Sequence, residues 1–408
     1  MTIMTRPPET LPTYSVSSPP PSYSCDPAVG EQLIQRTPRA LGRPTGTFKK
    51  LSGGVKVVLT EQEDDAETPI YSRHYPINGA IALEHRETIT EVKAKVVGQM
   101  RLLIPGVNSR EVTLVEQHQI LWSSNSASGS SSMCPGTLPF SLTLPSTFED
   151  KGASYPLPPT FNLSCLGSSG LTAVCKYSLE IKVVKGHSRG IGHWMKTKKI
   201  SIPLKHLPRS RPPRPISAEC DLFSDLKVSP EEWHQTLTTI PSRSPETIPP
   251  VNAHVFIPST KVFAYGETIP FHIQLTGPVC SLRDLSDSSG KVPNLRVNLL
   301  RQASLNIDGP KAWRNNVIAD SKLWPIPPPV GSITNAACLR EDSLDWQGEL
   351  EIPKTLSAPG FHAGDLHVKD FILLTVIPAD RKSKLQYHQS HIAIKIVTDS
   401  WREAPDSS

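Results

Sequence analysis

Proline occupies 41 of the 408 positions, about one residue in ten and about twice ordinary usage. Inside a helix a proline removes a backbone hydrogen bond and collides with the preceding turn, which costs about 3 kcal/mol. A chain punctuated this often cannot be assembled from long helices, so short extended segments joined by rigid turns remain. Over residues 1–45 the prolines mix with serine and threonine and show no hydrophobic period. That segment reads as a disordered tail.

From residue 46 the pattern changes. Residues 89–100 alternate apolar and polar side chains over several pairs, the period of a strand with one dry face. Residues 55–59, 77–83, 112–122, 175–185 and 198–204 behave similarly, and 138–145 is a strand interrupted by prolines, which belongs at a sheet edge. Seven strands without an amphipathic helix predict a β-sandwich over 46–206. Residues 207–250 read as a hinge with room for a short helix. Alternation resumes at 255–257, 267–275, 294–304, 346–352, 368–377 and 391–397, which predicts a second sandwich over 251–400, with 401–408 as a short tail. The fold class expected is therefore all-β, two tandem immunoglobulin-type sandwiches behind an N-terminal tail.

Net charge is only +5, yet ten Lys or Arg and no Asp or Glu fall between Lys182 and Arg214, so the rest of the chain is mildly acidic. Lys196, Lys198, Lys199 and Lys205 are the best candidates for contact with anionic lipid headgroups or an acidic cargo tail. The competing reading is a solvated strand edge kept soluble by lysine. Arg209, Arg211 and Arg214, spaced by prolines, suit a hinge better than a ligand. Nucleic-acid binding is not expected, because only Trp194 accompanies the basic run and stacking needs several aromatics. The thirteen histidines are scattered and no Cys-His, Ser-His-Asp or glycine-rich phosphate loop stands in a suitable setting, so neither catalysis, a metal nor a cofactor is expected. His362 and His367 flank Asp365 and read as surface positions of a strand pair. Seven irregularly spaced cysteines read as reduced thiols. With no apolar stretch near the N-terminus of the kind a secretory signal needs, a cytoplasmic location is expected.

Within the tail, Pro20, Pro21 and Tyr23 form a proline-proline-x-tyrosine motif, and Leu11, Pro12 and Tyr14 a weaker copy upstream. Prolines at 19, 20 and 21 pre-set a polyproline helix, so little chain entropy is lost when an aromatic groove closes on it. Serines beside these motifs and at seven of the ten positions 123–132 are candidate phosphorylation sites.

Several stretches together resemble the arrestin-domain proteins of the alpha-arrestin type found widely in fungi. In the first sandwich these are residues 89–98, Leu138-Pro139-Phe140-Ser141-Leu142, Tyr155-Pro156-Leu157-Pro158-Pro159-Thr160-Phe161 and 175–184; in the second, 261–277 and 359–377. The resemblance implies two seven-stranded sandwiches and a non-enzymatic trafficking adaptor. Such a protein would bind the cytosolic tails of membrane transporters or receptors, and recruit WW domains of a HECT-type ubiquitin ligase, promoting cargo ubiquitylation and endocytosis at the plasma membrane or endosomes. Pro20, Pro21 and Tyr23 occupy that family's ligase motif, here ahead of the sandwiches rather than after them. The salt-bridged polar core of visual and beta-type arrestins is not identifiable in the sequence. A structural coat subunit, like the arrestin-fold component of retromer, is the alternative that the same resemblance allows.

Overall fold

Twelve strands build the first lobe, and their alternation dictates which face of each is dry. A computed structural model describes residues 44–64, 66–72, 75–124, 133–164, 170–188, 193–216, 229–286, 293–327 and 340–401. In chain order the strands are β1 (Gly46–Ser52), β2 (Val55–Gln62), β3 (Ile70–Tyr71), β4 (Pro76–Leu83), β5 (Ile89–Ile104), β6 (Asn108–Ser123), β7 (Thr137–Thr143), β8 (Thr147–Asp150), β9 (Ala153–Pro156), β10 (Phe161–Ser164), β11 (Thr172–Ser188) and β12 (His193–His206). One sheet runs β1-β2-β4-β7 and the other β3-β12-β11-β5-β6, with β10 added on β11. Val57, Leu59, Ile77, Ile81 and Phe140 of the first sheet face Val92, Val96, Met100, Leu179, Ile181 and Ile202 of the second, all buried. Each such side chain contributes about 1.5–3 kcal/mol relative to exposure. The proline-bearing β7 lies at the end of its sheet, where Pro139 sits opposite Ala80.

Gly98 shows how closely the sheet is packed. A Cβ at this position would come within 2.7 Å of both the Tyr177 ring and Val115, so only glycine fits beneath the tyrosine. Tyr177 in turn donates its hydroxyl to the Pro158 carbonyl at 2.6 Å, tying β11 to the proline-rich loop before β10. Burial pushes the Tyr177 hydroxyl pKa well up, and the neighbouring Cys175 adds to that.

The second lobe comprises β13 (Trp233–Ile240), β14 (Val251–Pro258), β15 (Val262–Ala264), β16 (Thr268–Pro278), α1 (Val279–Leu285), β17 (Asn294–Asn306), β18 (Lys311–Asp320), β19 (Lys322–Ile326), β20 (Glu341–Glu351), β21 (Phe361–Ala363), β22 (Leu366–Ile377) and β23 (His388–Val397). Its sheets run β13-β14-β16-β20-β19 and β15-β23-β22-β17-β18, with β21 on β22. Val255, Ile269, Phe271, Ile273 and Leu275 pack against Val297, Leu299, Ile372, Leu374 and Ile392 across the sandwich. The fold is thus all-β with paired sheets, and α1 is the only α-helix among the described residues.

Two differences from the sequence reading stand out. Trp233–Ile240, inside the segment read as a hinge, is a full strand, paired residue for residue with β14 from Trp233↔Pro258 to Ile240↔Val251. Its mostly polar sequence hid it, because as an edge strand it exposes Gln235, Leu237 and Thr239 on one face and half-buries His234, Thr236 and Thr238 on the other. Strands β18 and β19, which stand at the edges of the lobe's two different sheets, are likewise absent from the sequence reading, since their Asn and Trp residues carry no clean alternation. The described residues form one compact unit, and the first lobe's core continues into Ala303, Leu305, Ala358, Ala363, Leu366 and Val368 of the second.

Candidate docking surface

Strand alternation divides the basic run between two faces. On β12, Lys198 lies opposite Val183, a core residue, so it points toward the sandwich interior. At the sheet's end its ammonium escapes burial by donating to the carbonyls of Ser52 and Gly53 on the β1–β2 turn, the latter at 2.8 Å. Lys196 shares that face, sits opposite Lys185 and is exposed. Lys199 and Lys205 point the other way, to the open face of the β3-β12-β11-β5-β6 sheet. Lys205 also pairs through its backbone with Ile70 of β3.

On that open face, the register lines up lysines that the sequence keeps far apart. Lys199 of β12 lies opposite Lys182 of β11, and Lys182 lies opposite Lys93 of β5, so three ammonium groups cross three adjacent strands in one row. The row ends at Ile120 of β6, a half-exposed apolar side chain opposite Lys93. Like charges directly opposite one another on a sheet destabilise it. Two members have local relief: Lys199 pairs with Glu180 at 2.9 Å and Lys93 with Glu91 at 3.2 Å. Lys182, in the centre and exposed, has no ion-pair partner among the described residues. Lys176 extends the same face along β11, and Lys95 stands one step from the row, held by Glu116 at 2.6 Å. That contact holds the Glu116 carboxyl below its ordinary range, first through the hydrogen bond and then through the charge. Lys93, Lys95, Lys176 and Lys182 were not singled out from sequence, because their shared face exists only once the strands are paired.

A second charged cluster closes the seam between the lobes. Arg110 of β6 bonds Asp150 at the end of β8 through both terminal nitrogens, one of them at 3.1 Å, and also bonds Asp365 in the β21–β22 turn. Lys151 reaches Asp308 at 2.8 Å and Asp365 at 2.9 Å. Burial alone would lower the Arg110 pKa, but hydrogen bonds to Asp150 and Asp365 outweigh it and hold it above the ordinary value. Lys151 is likewise raised, chiefly by its bond to Asp308. Asp365, read from sequence as a neighbour of surface histidines, is the second-lobe carboxylate on which two cations of the first lobe converge. His362 and His367, on the strands either side of that turn, stack with ring centres 3.8 Å apart, and Tyr155 of the first lobe meets His362 edge-on. Nearby, Arg301 forms a buried two-point pair with Asp370 at 2.7 and 3.0 Å and donates to the Ala358 carbonyl at 2.8 Å.

The prolines and arginines after β12 behave as an anchored connector. Arg209 bonds Asp399 through two nitrogens, and Ser210 exchanges backbone and hydroxyl bonds with Thr398 and Asp399 beyond β23. Arg214 reaches Glu232 at 2.8 Å and the Ser259 hydroxyl at 2.6 Å. Burial pushes the Asp399 carboxyl up, yet Arg209 and Thr398 hold it below the ordinary carboxylate range.

The tail motif residues Leu11, Pro12, Tyr14, Pro20, Pro21 and Tyr23 lie outside the described residues, as does most of the serine-rich stretch at 123–132. Among the described residues no His, Cys, Asp or Glu group is placed to hold a metal ion, and no helix is long and apolar enough to cross a membrane. No protein-family model matches this sequence, and no curated protein matches it either.

Proposed function

We propose that this protein is a non-enzymatic adaptor of the arrestin-like kind: the open face of its first lobe docks on an acidic or phosphorylated cytosolic tail of a membrane protein, and its N-terminal motifs recruit WW domains of a ubiquitin ligase. The observation that carries the reading is the Lys199–Lys182–Lys93 row. A sheet that sets three like charges across neighbouring strands accepts a stability cost, and such costs are typical of surfaces kept for a ligand. An anionic partner relieves the repulsion as it binds, so part of the docking energy comes from the unbound protein's own strain. Each near-surface lysine contact contributes about 1 kcal/mol at an anionic surface and is screened by salt. Ile120 supplies an apolar contact at the row's end. The tail adds a second, weak attachment of the polyproline type, and linking the two raises the ligase concentration near the cargo.

Two measurements on the full chain test the two halves separately. Lys182→Glu/Lys199→Glu should reduce binding of a phosphorylated tail peptide by at least about tenfold, roughly 1.4 kcal/mol, leaving capture by tandem WW domains unchanged. Tyr14→Ala/Tyr23→Ala should do the reverse. Equal peptide binding by the charge-reversed protein would refute the docking face, and undiminished WW capture by the tyrosine variant would refute the recruiting tail.

A further inference from the structure

Every sheet edge presents unpaired backbone N–H and C=O groups, and proteins commonly protect such edges with lysine, proline or a bulge. Here β1 carries Lys49 and Lys50, and β6 carries Glu116, Gln117, His118 and Gln119 in its second half. β18 is different. It terminates the β15-β23-β22-β17-β18 sheet, and no strand among the described residues pairs with its outer edge. It contains no proline, and it exposes Trp313 at 66% and Val317 at 56%. The register Ser304↔Trp313, Gln302↔Asn315 and Leu300↔Val317 puts residues 313, 315 and 317 on one face, directed away from the sandwich core. Regular pairing breaks between Leu299 and Leu300, which bounds the open ladder on the C-terminal side of Val317.

The edge is symmetric about Asn315. Two positions away on either side stand the exposed apolar residues Trp313 and Val317; one position away stand Arg314 and Asn316, already joined by a 3.0 Å bond from Arg314 Nε to Asn316 Oδ1. We propose that β18 pairs antiparallel with β18 of a second copy of this chain, about a two-fold axis through Asn315, so that one continuous sheet spans both molecules. In this register Trp313 lies directly across from Val317 of the second copy, and the same contact recurs on the other side of the axis. Arg314 lies across from Asn316 of the second copy, so the guanidinium finds there the same kind of acceptor that it uses within its own strand. Lys311 comes opposite Ala319 of the second copy, beside Asp320, which places opposite charges at both ends of the ladder. An isologous interface requires that residue i meet j while j meets i. The single ten-residue strand Lys311–Asp320 meets that condition for its apolar, polar and charged positions together, which favours a second copy over an unrelated extended peptide. The consequence is a dimer that presents two lysine faces and two tails.

Light scattering coupled to gel filtration, on the full chain from about 1 to about 100 μM, tests the association in the weak range expected of a small interface. The wild type should shift from monomer to dimer across that range, whereas Trp313→Lys and Val317→Lys should remain monomeric with unchanged circular dichroism and melting temperature, since both side chains are solvent-exposed. Asn315→Cys supplies an independent geometric check. Across the axis its Cα lies within about 4.5–5.5 Å of its own equivalent, a separation that a disulfide spans. Mild oxidation should therefore yield a cross-linked dimer above the background set by the seven native cysteines. Lys311→Cys, about 27 Å from its equivalent at about 3.4 Å per residue, should not cross-link. A wild type that stays monomeric at the highest concentration, a dimer indifferent to both lysine substitutions, or cross-linking at 311 but not 315 would each overturn the proposal. So would an edge that captures an added strand peptide while the chain itself remains monomeric.

Discussion

At the scale of single residues, the imidazoles determine how the molecule responds to acid. His388, His254, His234 and His367 are all held below the ordinary imidazole pKa, in each case first by burial. For His367 the stacked His362 and nearby Lys369 lower it further. The folded protein therefore keeps these rings neutral at pH values where the unfolded chain, titrating near 6.5, has begun to take up protons. Stability is complete above about pH 6.5 and drains away as pH falls from there toward the depressed folded values. The denaturant midpoint is expected to drop between about pH 7.5 and 5.5, and His367→Gln is expected to flatten that slope. A profile level across the window would contradict it. Asp399 and Asp345, held low by their partners, act in a separate and more acid window, where stability is lost as pH falls through their folded values.

At the scale of elements, β11 is where docking and stability oppose each other. Its inward side chains, Tyr177, Leu179, Ile181 and Val183, are core residues, while Lys176 and Lys182 alternate with them on the open face. Lys182 faces a lysine on each neighbouring strand. Lys182→Thr removes both repulsions and places a β-branched residue in the middle of a sheet, so it is expected to stabilise the fold by about 0.2–1 kcal/mol. The same substitution should weaken binding of an anionic peptide. Urea denaturation and peptide titration of one variant check both halves, and a loss of stability would show that the row is not strained.

At the scale of the whole molecule, the seam is expected to make the two lobes unfold as one. The first lobe's apolar core runs on into the second, and Arg110 joins Asp150 and Asp365 across the boundary. Removing the guanidinium leaves the buried Asp150 carboxylate without its cation and Asp365 with the half-exposed Lys151 alone. Arg110→Ala is expected to destabilise the protein by on the order of 3 kcal/mol, because breaking one partner of a buried pair leaves an uncompensated charge. Calorimetry is the check: the variant should melt earlier and show separated lobe transitions, whereas an unchanged single transition would mean that the apolar seam alone couples the lobes. Gly364, at φ +57° in the turn that carries Asp365, belongs to the same joint, since a Cβ there would lie 2.6 Å from the Asp150 carboxylate.

The all-β class was legible in local pattern, because proline excludes helices and period-two alternation needs no knowledge of neighbours. Ile89–Ile104 and Thr172–Ser188 announce themselves this way, while Trp233–Ile240 and Lys311–Asp320 do not, since edge strands exposed to water lose the apolar half of the signal. The clustering of lysines between 182 and 214 was visible as composition, but which of them act together was not. Alternation sends Lys196 and Lys198 to one face and Lys199 and Lys205 to the other, and only strand register brings Lys93 into line with Lys182 and Lys199. The seam lay further out of reach: Arg110 and Asp365 stand 255 positions apart. Sequence by itself determined the secondary structure, where the physics is local and periodic. Tertiary structure alone decided which charges face one another, because Coulomb interactions depend on distance in space, and long-range strand pairing sets that distance.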